Sequence, residues 1–197
     1  MVTQLNGWFI SENGPIKKSS NGVIIGSLAA AREAYPDLVG QHYGKIAEDK
    51  KSGFVSLNNA FATDGVFIWV PDNVIVDTPL QIVNIIQHDK NIFVQNHNLI
   101  ILGKNSKLQL VQCDDSVDQQ RSLVNTVTEA FVGENASLDH YKLQNKNNNS
   151  TLINTVFFNL ERDSRLTTNA ITLNGGLIRN EHYVKFNGEY YGRLPNG

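Results

Sequence analysis

Gly103-Lys104-Asn105-Ser106-Lys107-Leu108 returns in altered form as Gly133-Glu134-Asn135-Ala136-Ser137-Leu138 and again as Glu161-Arg162-Asp163-Ser164-Arg165-Leu166. A fourth corner, Gly188-Glu189-Tyr190-Tyr191-Gly192-Arg193-Leu194, has the same outline. Each is a polar or Gly-containing turn followed by a leucine, which in the first three restarts a strand. The leucines fall at 108, 138, 166 and 194, and a further step of 28 back from Leu108 lands on Leu80. A period of 28–30 residues with short β-rich runs between the corners describes one coil of a β-solenoid, two main strands and two corners per turn. Alternating apolar positions such as Leu108 and Leu110 then point inwards. A β-sandwich, whose turns recur every ~8–12 residues, fits the spacing less well.

Outward from those corners the same texture runs from Phe54 onward. Candidate strands are Val66–Val70, Val74–Val76, Leu80–Ile86, Asn98–Leu102, Lys107–Gln112, Leu123–Phe131, Ser137–Gln144, Leu152–Leu160, Arg165–Thr172 and Leu177–Phe186, and no helix of ten residues is expected among them. Asn occurs 24 times, more than Gly at 15. That suits repeated tight corners, because Asn tolerates left-handed backbone and hydrogen-bonds its own turn. The first part is mixed. Trp8-Phe9-Ile10 and Gly22–Gly26 read as short strands. Ser27 reads as the N-cap of a helix over Leu28–Ala34, and a second helix is expected from Asp37 to about Asp49. The expected organisation is an N-terminal mixed α/β segment, 1–57, and a partial β-helix core domain, 58–197.

Composition narrows the function. Hydrophobic residues are 41% and charged residues 18%, enough for a core. A net charge of −2 gives no field of one sign, so neither nucleic acid nor a polybasic contact with a membrane surface is expected. No apolar run approaches the ~20 residues of a membrane span, and Met1–Asn6 does not open a secretory signal. A cytoplasmic location is the expectation. The chain stops where a further coil would begin, and an uncapped solenoid leaves an aggregation-prone edge, so a piece of a longer protein is expected.

Phe61-Ala62-Thr63-Asp64-Gly65-Val66-Phe67-Ile68-Trp69-Val70-Pro71, Asn98–Gly103 through Gln112, Asn125–Glu129 with Gly133–Ala136, Arg162–Ser164, and Asn174–Asn180 together resemble, in order and spacing, the SufB/SufD family of scaffold proteins of Suf-type iron–sulfur cluster assembly. The resemblance covers about residues 22–197 and is nearer to the SufD-like branch. SufB-like chains carry Glu-Gly-Cys-Thr-Ala-Pro where this chain has Gln112-Cys113-Asp114-Asp115. It implies a right-handed parallel β-helix and a non-catalytic scaffold subunit. The implied partners are a SufB-like subunit and a SufC-like ABC ATPase, with a homodimer as the state in isolation. The iron–sulfur cluster belongs to the assembled complex, and no cofactor is implied for this segment alone. The family's cluster-building His and Cys positions and its ATPase-contacting helices lie further along than residue 197.

Individual candidates are few. Cys113 is the single thiol, which excludes an intramolecular disulfide and a one-chain zinc site needing two or more cysteines. It is the one weak candidate for a metal or sulfur ligand. Neighbouring Asp114 and Asp115 oppose thiolate formation, and a buried strand position is the plainer expectation. The histidines, His42, His88, His97, His140 and His182, show no metal-ligand spacing and are expected at surfaces or corners. His97 and His140, one and a half periods apart, should lie on opposite sheets. Glu134 and Asp163 are expected to stack at successive corners, Asn145–Ser150 to form a protruding loop, and Arg179–His182 to form a polar cluster. No residue is expected to be catalytic. The alternative function is a β-helical carbohydrate-binding or polysaccharide-processing protein, which needs exposed aromatics and a carboxylate cluster on one face.

Overall fold

In the computed structural model, which describes residues 1–47 and 52–188, the chain forms a parallel β-solenoid of about four turns. Its first turn is capped by a small α/β segment. The order is β1 (Val2–Leu5), β2 (Trp8–Ile10), β3 (Ile16–Lys18), β4 (Ile24–Ser27), α1 (Leu28–Ala34), α2 (Pro36–His42) and α3 (Gly53–Phe61). The solenoid strands follow as β5 (Val66–Val70), β6 (Leu80–Ile86), β7 (Ile92–Leu102), β8 (Lys107–Ser116), β9 (Ser122–Val132), β10 (Ser137–Asn145), β11 (Ser150–Leu160), β12 (Arg165–Asn174) and β13 (Leu177–Phe186). Alternate strands build two sheets, ordered β12-β10-β8-β6-β1-β2 and β13-β11-β9-β7-β5-β4-β3. Parallel pairing joins the solenoid strands, and the antiparallel pairs lie in the first segment.

The repeat is physical. Leu108 pairs with Leu138 and Leu138 with Leu166, steps of 30 and 28 residues. Leu80, however, pairs with Leu110 rather than Leu108. Ile75 already bridges to Lys107, so the first turn carries two extra residues around Thr78-Pro79, where Pro cannot donate to a ladder. Val74–Val76, expected as a strand, is reduced to that isolated bridge. Leu194 lies outside the described residues, as do the corner residues from Glu189 onward.

Three corners carry the same left-handed residue, Asn105 (φ 55°), Asn135 (φ 55°) and Asp163 (φ 59°), and Asn73 (φ 62°) extends the row into the first turn. The Asn105 side chain donates to Asn73 Oδ1 (2.8 Å) and Asn135 to Asn105 Oδ1 (2.9 Å), an amide ladder down the edge of the stack. Asn135, not Glu134, is therefore level with Asp163. Glu134 instead sits between Lys104 (3.4 Å) and Arg162, an alternating charge row rather than a carboxylate stack.

The helices differ from expectation at two points. Ser27 caps α1 through Ala30 N (3.1 Å), as its hydroxyl allows. The second helix starts at Pro36 and ends at His42, and the expected continuation past Ala47 lies outside the described residues. Helix α3 was not expected. It holds because Ser52 caps it (3.2 Å to Phe54 N) and because Val55 and Asn58 are buried against β7 and β9. β1 and β3 were also unexpected, and β1 extends the six-stranded sheet by pairing with β6.

The core runs between the sheets through Val66, Ile68, Ile82, Ile100, Leu108, Leu110, Ala130, Leu138, Val156 and Phe158. A second cluster, with Ile24, Leu28, Ala31, Val39, Phe67 and Leu99, fixes α1 and α2 on the outer face of the seven-stranded sheet. Among the described residues no helix is long and apolar enough to cross a membrane.

Candidate functional site

Two polar assemblies are buried, one outside the seven-stranded sheet and one between the sheets. The outer one centres on Glu129 of β9, which is 0% exposed. Its carboxylate accepts from Gly44 N (2.5 Å), Ile46 N (2.9 Å) and Ala47 N (3.1 Å), in the segment after α2. His97 Nε2 lies 3.0 Å from Glu129 Oε1, and His97 Nδ1 lies 3.0 Å from Asn58 Oδ1. Asn58 spends both amide hydrogens on Asn96 O and Asn125 O (2.9 Å each), so its Oδ1 can only accept. Both ring nitrogens of His97 thus face oxygen acceptors, one an amide and one the Glu129 carboxylate. Tyr43 packs on the ring at 4.6 Å, and Arg32 lies over Tyr43 at 4.1 Å. Burial works to raise the Glu129 pKa. The His97 hydrogen bond and charge, with the Ile46 and Gly44 N–H groups, outweigh it and hold the carboxyl below its ordinary range. The arrangement clamps the helical segment to the solenoid.

The inner assembly fills the half of the solenoid remote from the Asn73–Asp163 corners. Asp114 is paired with Lys142 (3.0 Å) and accepts from Asn84 (2.7 Å). Lys146 donates to Asp115 O (2.5 Å), and burial pushes its pKa down to about 8. His140, next to Gln112 Oε1 (2.9 Å) and Thr168 Oγ1 (3.2 Å), is pushed down to about 3. Burial is the main cause, followed by the Lys142 charge. Gln144 and Asn180 continue the column toward the last described turn. A cavity of about 10 Å³ lies beside Gln4, Asn84, Asp114 and Lys146, the size of one water.

The expected candidates are distributed differently. Cys113 is half-buried on the outer face of the six-stranded sheet, with Gln81 Nε2 3.5 Å from its Sγ. Strand alternation turns Asp114 to the opposite face, into the interior. His97 and His140 do lie on opposite sheets, but neither is at a surface or corner, being 0% and 1% exposed. Asn145–Ser150 is not a protruding loop. Lys146, Asn147 and Ser150 are buried, and Asn147 ties the corner to Ser116, Asp118 and Gln120. Arg179–His182 is split by the strand: Arg179 and Glu181 pair outside (2.6 Å), while Asn180 turns inward to Gln144. Among the described residues no group of three or more His, Cys, Asp or Glu is placed to hold a metal ion. In the sequence the clamp shows only as the four polar residues among the five of Asn125–Glu129, in a strand that should be buried on both faces.

Residues 1–82 match the family model described as the SufBD protein N-terminal region. Residues 84–191, nearly all of the solenoid, match the SUF system FeS cluster assembly SufBD core domain. The chain belongs to the SufB/SufD family. It is 27% identical over 173 residues to the iron–sulfur cluster assembly protein SufD of Bacillus subtilis, covering 85% of this chain and 39% of that protein. It is 28% identical over 131 residues to SufB of the same organism, covering 66% and 28%. A SufBD family protein of Synechocystis is 27% identical over 188 residues, covering 89% and 40%. The chain therefore spans less than half the length of these SufB/SufD relatives.

Proposed function

We propose that this chain is the N-terminal and first-coil portion of a scaffold subunit, of the SufD type, in a SufBCD-like complex for iron–sulfur cluster assembly. The observation that carries this is the core-domain match over residues 84–191, coincident with the stacked turns. Similarity to both SufD and SufB supports membership of a paired-scaffold system. In this reading the chain acts in the cytoplasm and contributes shape rather than chemistry. Its partners are a SufB-like subunit and a SufC-like ATPase, and the cluster is cargo of the assembly. The buried polar groups support a structural role here, because His97, Glu129, Asp114 and Lys142 are each engaged inside the protein.

The test is co-purification. The complete reading frame containing this segment, tagged and co-expressed with SufB-like and SufC-like subunits of the same source, is expected to retain both. Anaerobic loading is then expected to give bound iron and sulfide. A monomer that retains neither subunit contradicts the proposal.

A further inference from the structure

Asn-Gly occurs six times, at Asn6, Asn13, Asn21, Asn174, Asn187 and Asn196. Such a pair can modify itself. Glycine has no Cβ to hold its nitrogen away from the preceding side chain, and asparagine is a thermolabile residue. Asn196 lies outside the described residues. The fold restrains three of the other five. The Asn6 amide is held at both ends by Gln87, its Nδ2 donating to Gln87 O (2.8 Å) and its Oδ1 accepting from Gln87 N (3.0 Å). At the second pair Gly22 N already donates to Ser19 O (3.0 Å), and Asn21 Oδ1 accepts from the Ser19 hydroxyl. Asn187 donates through Nδ2 to Asn159 Oδ1 and Glu161 Oε1 (2.8 Å each). Asn13 is exposed, in a turn with open space around Gly14.

Asn174 is arranged differently. It ends β12, is exposed, and its Oδ1 accepts from the N–H of its own neighbour Gly175 (3.1 Å). The side-chain amide is thus folded back over the nitrogen that would attack it. Among the described residues the Gly175 N–H has no backbone acceptor and Asn174 Nδ2 has no partner, so neither the nucleophile nor the leaving group is tied up. We propose that Asn174-Gly175 is a site of spontaneous covalent modification, at which the chain converts its own asparagine into aspartate and isoaspartate. The Gly175 nitrogen loses its proton to solvent base and forms a bond to Asn174 Cγ. The Cγ–Nδ2 bond breaks, and the leaving nitrogen takes up a proton and departs as ammonia. Water then opens the cyclic succinimide at either carbonyl, giving an aspartyl or an isoaspartyl link. Both products place a carboxylate at the corner between β12 and β13, and the isoaspartyl link adds a methylene to the backbone. That corner has little room. A Cβ on Gly176 would lie 2.4 Å from Asn148 O, and Lys146 N donates to Asn174 O (3.0 Å). Modification therefore loosens this corner from the one stacked beneath it. The site is separate from the scaffold role and stands or falls without it.

The experiment incubates the 197-residue chain folded and, in parallel, unfolded in urea, at neutral and at mildly alkaline pH. Isoaspartate is assigned to each Asn-Gly pair by peptide mapping and by methylation with an isoaspartyl methyltransferase. In the folded chain Asn174 is expected to convert at least as fast as in the unfolded chain, and faster at the higher pH because the attacking nitrogen must lose its proton. Asn6, Asn21 and Asn187 are expected to convert more slowly folded than unfolded. Asn174→Gln, whose longer side chain closes the ring poorly, is expected to remove the signal from that peptide alone. The proposal is overturned if Asn174 converts more slowly in the folded chain than in urea. It is equally overturned if Asn174 converts no faster in the folded chain than Asn6, Asn21 and Asn187, or if its rate does not rise with pH. These comparisons need no variant, so a misfolded Asn174→Gln does not shield the proposal.

Discussion

Glu129 shows what one buried residue can hold together. Its carboxylate collects three backbone N–H groups from residues 44–47 and the His97 ring from β7. Removing the charge deprives those N–H groups and the His97 ring of their buried carboxylate, and breaking a buried charged network from one side costs about 3–5 kcal/mol. Glu129→Gln is therefore expected to lower the unfolding free energy at neutral pH by an amount of that order, seen as a lower urea midpoint. An unchanged midpoint would show that the helical segment is held by apolar packing alone. The pH dependence follows from the lowered folded-state pKa of Glu129. A depressed carboxylate stabilises the fold fully above its unfolded pKa, and that stabilisation disappears as pH falls through the folded value. Acid titration of the variant should accordingly lack that step. Little of this was legible in the sequence. His97 reads as a surface or corner residue, and Glu129 is not singled out, because nothing local says which face of β7 and β9 the helices will cover.

The corners were legible because their chemistry is local. A left-handed backbone residue costs an ordinary side chain ~1–2 kcal/mol, which Asn, Asp and Gly escape, so the repeat of Asn105, Asn135 and Asp163 could be read without neighbours. Asn105→Ala is expected to cost about 1–2 kcal/mol in thermal or urea unfolding. Asn105→Gly should cost less, since it loses only the amide ladder to Asn73 and Asn135. Equal losses would place the cost in the ladder rather than in φ. Gly65 is a harder constraint. A Cβ there would lie 1.7 Å from His97 O, a backbone atom that cannot yield while Asp64 pairs with Asn96. Gly65→Ala should exceed the ~1–3 kcal/mol of ordinary overpacking and part β5 from β7, seen as lost amide protection in both strands. Helix α3 was illegible for the converse reason. Gly53, two Asn and two Phe in nine residues give weak helix propensity, and tertiary contacts through Val55 and Asn58 supply what propensity does not.

Across the whole molecule the solenoid is apolar at one edge and polar at the other, and each turn relies on its neighbours for the groups that complete it. Leu108, Leu138 and Leu166 stack at the apolar edge, while Asp114, Lys142, Lys146 and His140 share the polar half. This division makes acid stability a property of the stack. His140 lies between Gln112 on the preceding turn and Thr168 on the next, and its folded pKa is near 3 against an ordinary 6.5. A histidine with a depressed folded value takes up its proton first in the unfolded chain. Stability is thus undiminished above about 6.5 and declines as pH falls from there toward 3. A shift of that size corresponds to a loss on the order of 5 kcal/mol at the acid end. His140→Leu places an apolar side chain where Leu110 already sits on the neighbouring strand and removes the titrating group. The variant's unfolding free energy should stay flatter between pH 6.5 and 4 than that of the parent chain, with the Glu129 step left in place below. A parent chain whose stability does not change over that interval would mean that water reaches His140 and that the polar half of the solenoid is wet along its length.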